Sequence, residues 1–480
     1  MDAVFYENNQ IPEVSPESAG IPSQAILDFM EAVERRRTSL HSFIIMRHGK
    51  IAARSFYAPY TENLRHRIYS VSKSVTSAAA GIAVKEGLLN LSDKAAGFFP
   101  EEIEKPLHPF TARMTVKDLL TMRTVHKSSV DTSKGRWVHS FLNTHPSHPS
   151  GTTFAYDTTG THMVCAIIQK LSGQTLEEYL RKRLFDKIGI GPVYWEKCDQ
   201  GINLGGSGIW CTTEDMARFG QLYLQDGVWN GERIFPEGWV EESFTPHADN
   251  SNANFTLDGC HGYGYYFWKT RYGWCAFGMG GQLIVIVPEK ELVFACTANT
   301  MELKDGQQLI LDSLWETIYP ALSDDSLEEN PSVWDRLKET CRNAQLLGTE
   351  VKRSSWESRL SGRRIVLDEG FRGVTEIEFR FRQEEGELLL INGQQEQVIP
   401  FGLNGFRKSV DIFTGMDAYA KLKWTDEDRC VLHVEVPNQV QRHIFYCAFS
   451  PEAVTVQLKS TGGMWKDTLN GYFGALWNRA

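Results

Sequence analysis

The chain has 480 residues, 42% of them apolar and 23% charged, and a formal charge of -10. That length exceeds one ordinary core, since domains usually hold roughly 100–200 residues, and the composition is that of soluble globular chains, not disordered, collagenous or membrane ones. No Lys/Arg-rich block offers a footprint for nucleic acid, and no stretch approaches the roughly 18 uncharged apolar residues of a membrane span. The start, MDAVFYENNQIPEV, has neither a basic nor an apolar leader region. A cytoplasmic protein without nucleic-acid or membrane partners is expected. The nine cysteines show no CxxC spacing, so reduced core residues are expected in place of a disulfide framework.

In chain order, Ser42 to Phe56 reads as a β-hairpin, two apolar runs punctuated by His48-Gly49. After Ser70, Val71, Val75, Ala78, Ala79, Ile82 and Ala83 recur at helical spacing and stop near Leu88-Leu89-Asn90, so a buried helix begins at or just before the serine. Further helices are predicted at Leu119–Met122, at Met163–Leu171 before Ser172-Gly173, and at Thr213–Leu224 behind the capping residue Thr212. The runs Gly264–Trp268, Leu283–Pro288 and Leu292–Thr297 read as adjacent antiparallel strands. The acidic, turn-rich stretch Ser323–Pro331 marks a domain boundary, followed by a helix around Val333–Leu347. From Arg363 onward, alternation such as Val374–Phe381 and Val431–Val436 predicts a meander of half-buried strands. The domains expected are 1–322, a linker with a helix over 323–350, and a smaller all-β domain over 351–480.

A serine hydroxyl is a poor nucleophile, so an enzyme using one needs a proton acceptor nearby and donors for the developing oxyanion. Ser70 and Lys73, three apart on a helix, share one face. Burial would lower the proton affinity of Lys73 and make its amine usable as a base, and the helix N-terminus favours the negative charge forming there. Read alone, S-x-x-K also describes an exposed serine beside a solvated lysine.

The segment His66–Ala78 around this motif resembles the nucleophile helix of the penicillin-binding and class C β-lactamase-like serine hydrolases. The resemblance runs in order through Leu119–Met122, Phe154–Tyr156, Thr212–Asp215 and Gly278-Met279-Gly280-Gly281-Gln282, across residues about 14–320. It implies an α/β fold, an antiparallel sheet flanked by helices with a helical insertion, followed by a lipocalin-like all-β domain. It assigns Ser70 as nucleophile, Lys73 and Tyr156 as proton relay, and the backbone N–H groups of Ser70 and Met279 as the oxyanion hole. Thr158, Trp137, Trp210, Gly278 and Gln282 fall at positions expected to face substrate. Thr158 stands where the family more often has Asn, and Ala276 stands where penicillin-recognising members carry Lys. Both departures point away from β-lactams and toward the esterases and oligoamide hydrolases of the superfamily.

The reaction expected is hydrolysis of a small-molecule carboxylic ester or amide through an acyl-Ser70 enzyme, needing no cofactor or metal and leaving room for a homo-oligomer. The alternatives are a penicillin-interactive β-lactamase or D-amino-acid peptidase, and a silent ligand-binding sensor of the same fold. His145-Pro-Ser-His148 has H-x-x-H spacing, but its prolines exclude a helix and no acidic or cysteine ligand is in register. Gly205-Gly-Ser207-Gly208-Ile209 lacks the outer glycine of G-x-S-x-G, so Ser207 reads as a turn residue.

Overall fold

Two left-handed residues, His48 (φ 50°) and Gly49 (φ 72°), turn strand β1 (Leu40–Arg47) into β2 (Lys50–Phe56). Two successive positive φ values match the right-handed twist of paired strands, which is why a short hairpin selects a glycine here. The structure is a computed structural model describing residues 4–104, 106–253, 256–371, 373–461 and 471–476. The chain divides into two compact units, Met1–Ser55 with Arg65–Glu339, and Phe56–Leu64 with Thr340–Ala480.

Among the described residues the first unit is built on a six-stranded sheet. Its order is β2-β1-β9-β8-β7-β6, where β6 is Trp268–Lys269, β7 Trp274–Gly278, β8 Gln282–Val287 and β9 Leu292–Ala298. Every residue of β1, β8 and β9 is buried, because helices cover both faces, and the strands therefore read as continuous apolar runs. On one face α1 (Ser23–Arg35) sets Phe29 edge-on against Phe43 and Phe294, at 5.5 and 5.4 Å between ring centres. On the other lie α2 (Val71–Lys85) and a helix at Thr213–Leu224, which Thr212 and Asp215 close with reciprocal cap bonds. At Gly220 this helix meets the sheet so closely that a Cβ would stand 2.7 Å from Val293 and 2.8 Å from Ile284.

Helix α2 is buried on every side from Val71 to Ala83, with Ala and Val as its apolar residues and a run of hydroxyls. The hydroxyls are tethered to neighbouring chain: Ser74 donates to the Tyr266 carbonyl at 2.7 Å, Thr76 to Gly205 at 3.0 Å, and Ser72 accepts from the Ile209 N–H at 3.2 Å. Three of the helix's buried hydroxyls are thereby partnered. Residues between α2 and β6 form the helical insertion, with the short sheet of His66–Arg67, Ile209–Cys211 and Tyr194–Trp195 beside it.

Three sequence expectations need correction. The run Gly264–Phe267 is not a strand: Tyr266 is left-handed (φ 61°) and its N–H bonds the Leu120 carbonyl, so pairing starts at Trp268. The helix at Val116–Leu120 stops before Met122, whose φ of 54° turns the chain toward residue 155. The helix Pro331–Arg342 ends short of Leu347, because residues 344–346 run alongside Ala58 instead, bonding both its N–H and its carbonyl.

Among its described residues the second unit is mainly β, a short helix at Trp356–Leu360 followed by ten strands from Arg364–Phe371 to Gly471–Leu476 with the first and last side by side. Its interior is apolar, with Phe379, Leu388, Phe401, Trp424, Leu432 and Phe445 in one cluster. A buried polar chain runs beside it, in which His443 bonds both Asp411 and Ser460. The pairing departs from a simple meander where Gln395–Gly402 meets Asp417–Asp426 in parallel and Arg407–Val410 pairs alongside. No helix among the described residues is long and apolar enough to cross a membrane.

Since overpacking a core costs about 1–3 kcal/mol, the isopropyl group added by Gly220→Val should lower the thermal midpoint of the first unit by several degrees in calorimetry. An unchanged midpoint would show that the helix slides freely on the sheet.

Candidate active site

Ser70 occupies the N-cap position of α2, half-buried, directly after Tyr69, which is held at φ 47°. A buried tyrosine in the left-handed region is strained, and pairing of Arg67 with Trp210 and of the Ile68 N–H with the Ile209 carbonyl holds it there. The bend separates the short strand from the helix, leaving the serine where the two meet.

Lys73 is 1% exposed, and its Nζ lies 3.0 Å from Ser70 Oγ and 2.7 Å from the carbonyl of Gly206. It also sits 4.8 Å from the ring centre of Tyr156. Burial disfavours the ammonium and lowers its pKa to about 7, against the opposing pull of the Asp157 carboxylate. Tyr156 hydrogen-bonds Ser70, and its burial drives the phenol well above its ordinary pKa, so it rests protonated. Ser70 Oγ therefore stands between an amine able to take a proton and a phenol able to give one.

Asp157 fixes Tyr156. Its Oδ1 accepts from the N–H groups of Thr159 and Gly160 at 2.9 and 3.0 Å, capping the helix Thr158–Ser172, while Oδ2 accepts from Thr124 at 3.0 Å. The tyrosine is thus the last residue before a tightly anchored helix start. The glycine pair read as a plain turn proves to matter: a Cβ on Gly205 would stand 1.9 Å from Cys165 Sγ, and one on Gly206 2.5 Å from Thr158. Without side chains, this turn comes close enough to offer the Gly206 carbonyl to Lys73. Ser207 is a turn residue, its N–H on the Leu204 carbonyl.

A cavity of about 180 Å³ opens over Ser70, lined by Tyr156, Trp268, Phe277, Gly278, Met279 and Gln307, together with Thr256 and Gly259. Trp268 stacks on Tyr156 at 5.5 Å and meets Phe277 edge-on at 5.9 Å, forming an aromatic wall. Among the described lining residues none is charged. A Cβ on Gly278 would lie 2.3 Å from the Ile68 carbonyl, so only glycine lets β7 come this close to the segment before Ser70.

The structure thus brings Ser70, Lys73, Tyr156, Gly278 and Met279 together. Four residues expected to face substrate are not among the residues lining this cavity. Gln282 is fully buried, its amide donating to the carbonyls of Met279 (3.0 Å) and Ala298 (2.8 Å), so it braces the turn and does not face the cleft. Trp137 packs on His162 at 4.6 Å, and Trp210 meets Tyr194 edge-on at 6.2 Å. Thr158 accepts no bond from Lys73; the Gly206 carbonyl takes that place. His145 and His148 each bond neighbours in their own loop, Pro146 and Ser147. Sequence reading missed Trp268, whose aromatic run imitates a strand, and Gln307, which follows a glycine and carries no motif.

The sequence model of the Beta-lactamase family matches residues 28–312, a span that contains every residue of this cavity. The chain belongs to that family. Among its relatives, the 6-aminohexanoate-dimer hydrolase of Paenarthrobacter ureafaciens is 22% identical over 284 residues, 53% of this chain and 71% of the relative. The lovastatin esterase of Penicillium rubens is 30% identical over 152 residues, 25% of this chain and 37% of the esterase. A solved penicillin-binding protein homologue from Caulobacter crescentus shares the family's fold, with a TM-score of 0.51 at 14% identity, covering 62% of this chain and 99% of that one.

Asp157→Asn keeps the capping oxygen but removes the charge that raises the proton affinity of Lys73. The acid limb of any Lys73-dependent pH profile should move down, by up to about one unit. A limb that stays put or moves up in kcat/KM against pH would contradict the assigned electrostatics.

Proposed function

We propose that the chain hydrolyses neutral carboxylic esters or amides with an apolar acyl group, through a covalent acyl-Ser70 intermediate. The observation that carries this reading is the fully buried Lys73 amine, 3.0 Å from Ser70 Oγ and lowered to about 7. In acylation Ser70 Oγ attacks the substrate carbonyl, its proton passes to the Lys73 amine, and Tyr156 delivers a proton to the leaving alkoxide or amine. Water then attacks the acyl carbon with the relay reversed.

The backbone N–H groups of Ser70 and Met279 border the same cavity, and among the described residues neither meets an acceptor. That is the condition an oxyanion site requires, since donors already bound elsewhere could not receive the negative charge. The aromatic wall suits an apolar acyl chain, and the described lining, with Ala276 buried in β7, carries no cation for a substrate carboxylate. The hydrolase and esterase names of the relatives support the same substrate class.

Ser70→Ala should abolish turnover of p-nitrophenyl esters and labelling by a serine-directed phosphonate, while the thermal midpoint is retained. Normal turnover in that variant would refute the reading. Short oligoamides and nitrocefin belong in the same panel; a stable penicillin adduct at Ser70 would instead favour a β-lactam-interactive protein.

Because only the neutral amine accepts the proton, kcat/KM should rise about tenfold per pH unit below about 7 and level off above it. A profile falling with rising pH in that window would exclude Lys73 as the base.

A further inference from the structure

The Gly278–Gln282 turn is held from outside at three successive carbonyls. Gly278 accepts from the side-chain amide of Gln307, Met279 from Gln282 Nε2 at 3.0 Å, and Gly280 from the Thr300 N–H at 3.0 Å. Of these donors Gln307 alone lines the cavity. It is the second residue of the helix Gly306–Thr317, whose start is fixed in turn. A Cβ on Gly306 would stand 2.4 Å from Thr300, and Gln308 bonds buried Asp258 through both ends of its amide, at 2.6 and 2.8 Å.

The peptide joining Gly278 to Met279 is trans, so its C=O and N–H point in opposite directions. The Gly278 carbonyl is turned toward Gln307 and the Gly281 N–H, the latter at 3.3 Å. The Met279 N–H is therefore turned away from both. On one side this peptide is joined to Gly278, which has no Cβ to hinder its turning, and on the other Met279 leads into Gly280 at φ 82°. A rotation of this one peptide unit would turn the N–H from its present direction and break the bond to Gln307.

We propose that Gln307 is a positioning residue that locks the Gly278–Met279 peptide with its N–H directed into the cleft, where the acyl oxygen develops charge. This rests on the reading of Ser70 as the nucleophile. Oxyanion donors act because they are fixed beforehand, so loss of the lock lowers the rate of the chemical step and leaves ground-state binding nearly unchanged.

The test uses the full chain and a p-nitrophenyl ester. Gln307→Met matches the length without a donor and should lower kcat about ten- to a hundredfold with KM within about twofold. Gln307→His places a neutral ring N–H at similar reach and should recover most of the loss. Gln307→Glu suits a partly exposed site should the methionine variant misfold, and its carboxylate cannot donate, so it must also lower kcat. The proposal is overturned if the donor-free variants turn over within twofold of the parent, if KM carries the loss, or if histidine recovers nothing. Phosphonate labelling of the parent separates the two ideas: no adduct at Ser70 sinks the nucleophile, whereas a Ser70 adduct with unaffected Gln307 variants sinks the lock alone.

Discussion

Enclosing a lysine amine in a dry helix is unfavourable while it carries a proton, and much of the first unit is arranged around that burial. Burial in α2 lowers the pKa of Lys73 to about 7, and its donors are taken up by Ser70 Oγ and the Gly206 carbonyl. That second bond depends on two glycines packed against Cys165 and Thr158. The hydroxyl-rich face of α2 follows from the same constraint, since each tether to residues 205, 209 and 266 satisfies a buried group and draws a wall of the site inward.

The site is also strained in a way that fits its position. Tyr69 and Met122 both hold positive φ, one just before Ser70 and the other beside the segment that leads to Tyr156. Strain of this kind persists where surrounding hydrogen bonds over-determine the backbone. Here the small sheet at residues 66–67 and 209–211 does so for Tyr69, and the Ala155 N–H on the Met122 carbonyl, at 2.8 Å, does so for Met122. Ser70, Tyr156 and Met279 thus come from separate elements whose mutual distances are set by backbone.

The cleft's neutrality separates it from sites built to hold an anionic substrate. Among the described residues lining the cavity none is charged, and the nearby Asp157 is occupied by capping a helix. What the cleft offers a ligand is shape and aromatic surface from Tyr156, Trp268 and Phe277. Under the proposed hydrolysis, discrimination would fall on the acyl chain, where each methylene contributes modestly.

The sequence by itself determined the elements whose signals are local. The His48-Gly49 turn, the apolar periodicity after Ser70, the Thr212 cap and the unbroken runs of β8 and β9 each follow from short-range sterics or from burial on both faces. The order of Ser70, Lys73, Tyr156 and the glycine turn was legible for the same reason, as motif residues fixed by chemistry. Tertiary structure alone decided which side chains meet in the cleft. Gln282 turned inward to donate to the Met279 carbonyl in the turn and the Ala298 carbonyl in the sheet, Trp137 and Trp210 packed on His162 and Tyr194, and Trp268 and Gln307 entered from segments about 110 to 150 residues beyond Tyr156. Such contacts arise from how elements pack, a long-range balance of shape and hydrogen bonding that no local pattern encodes.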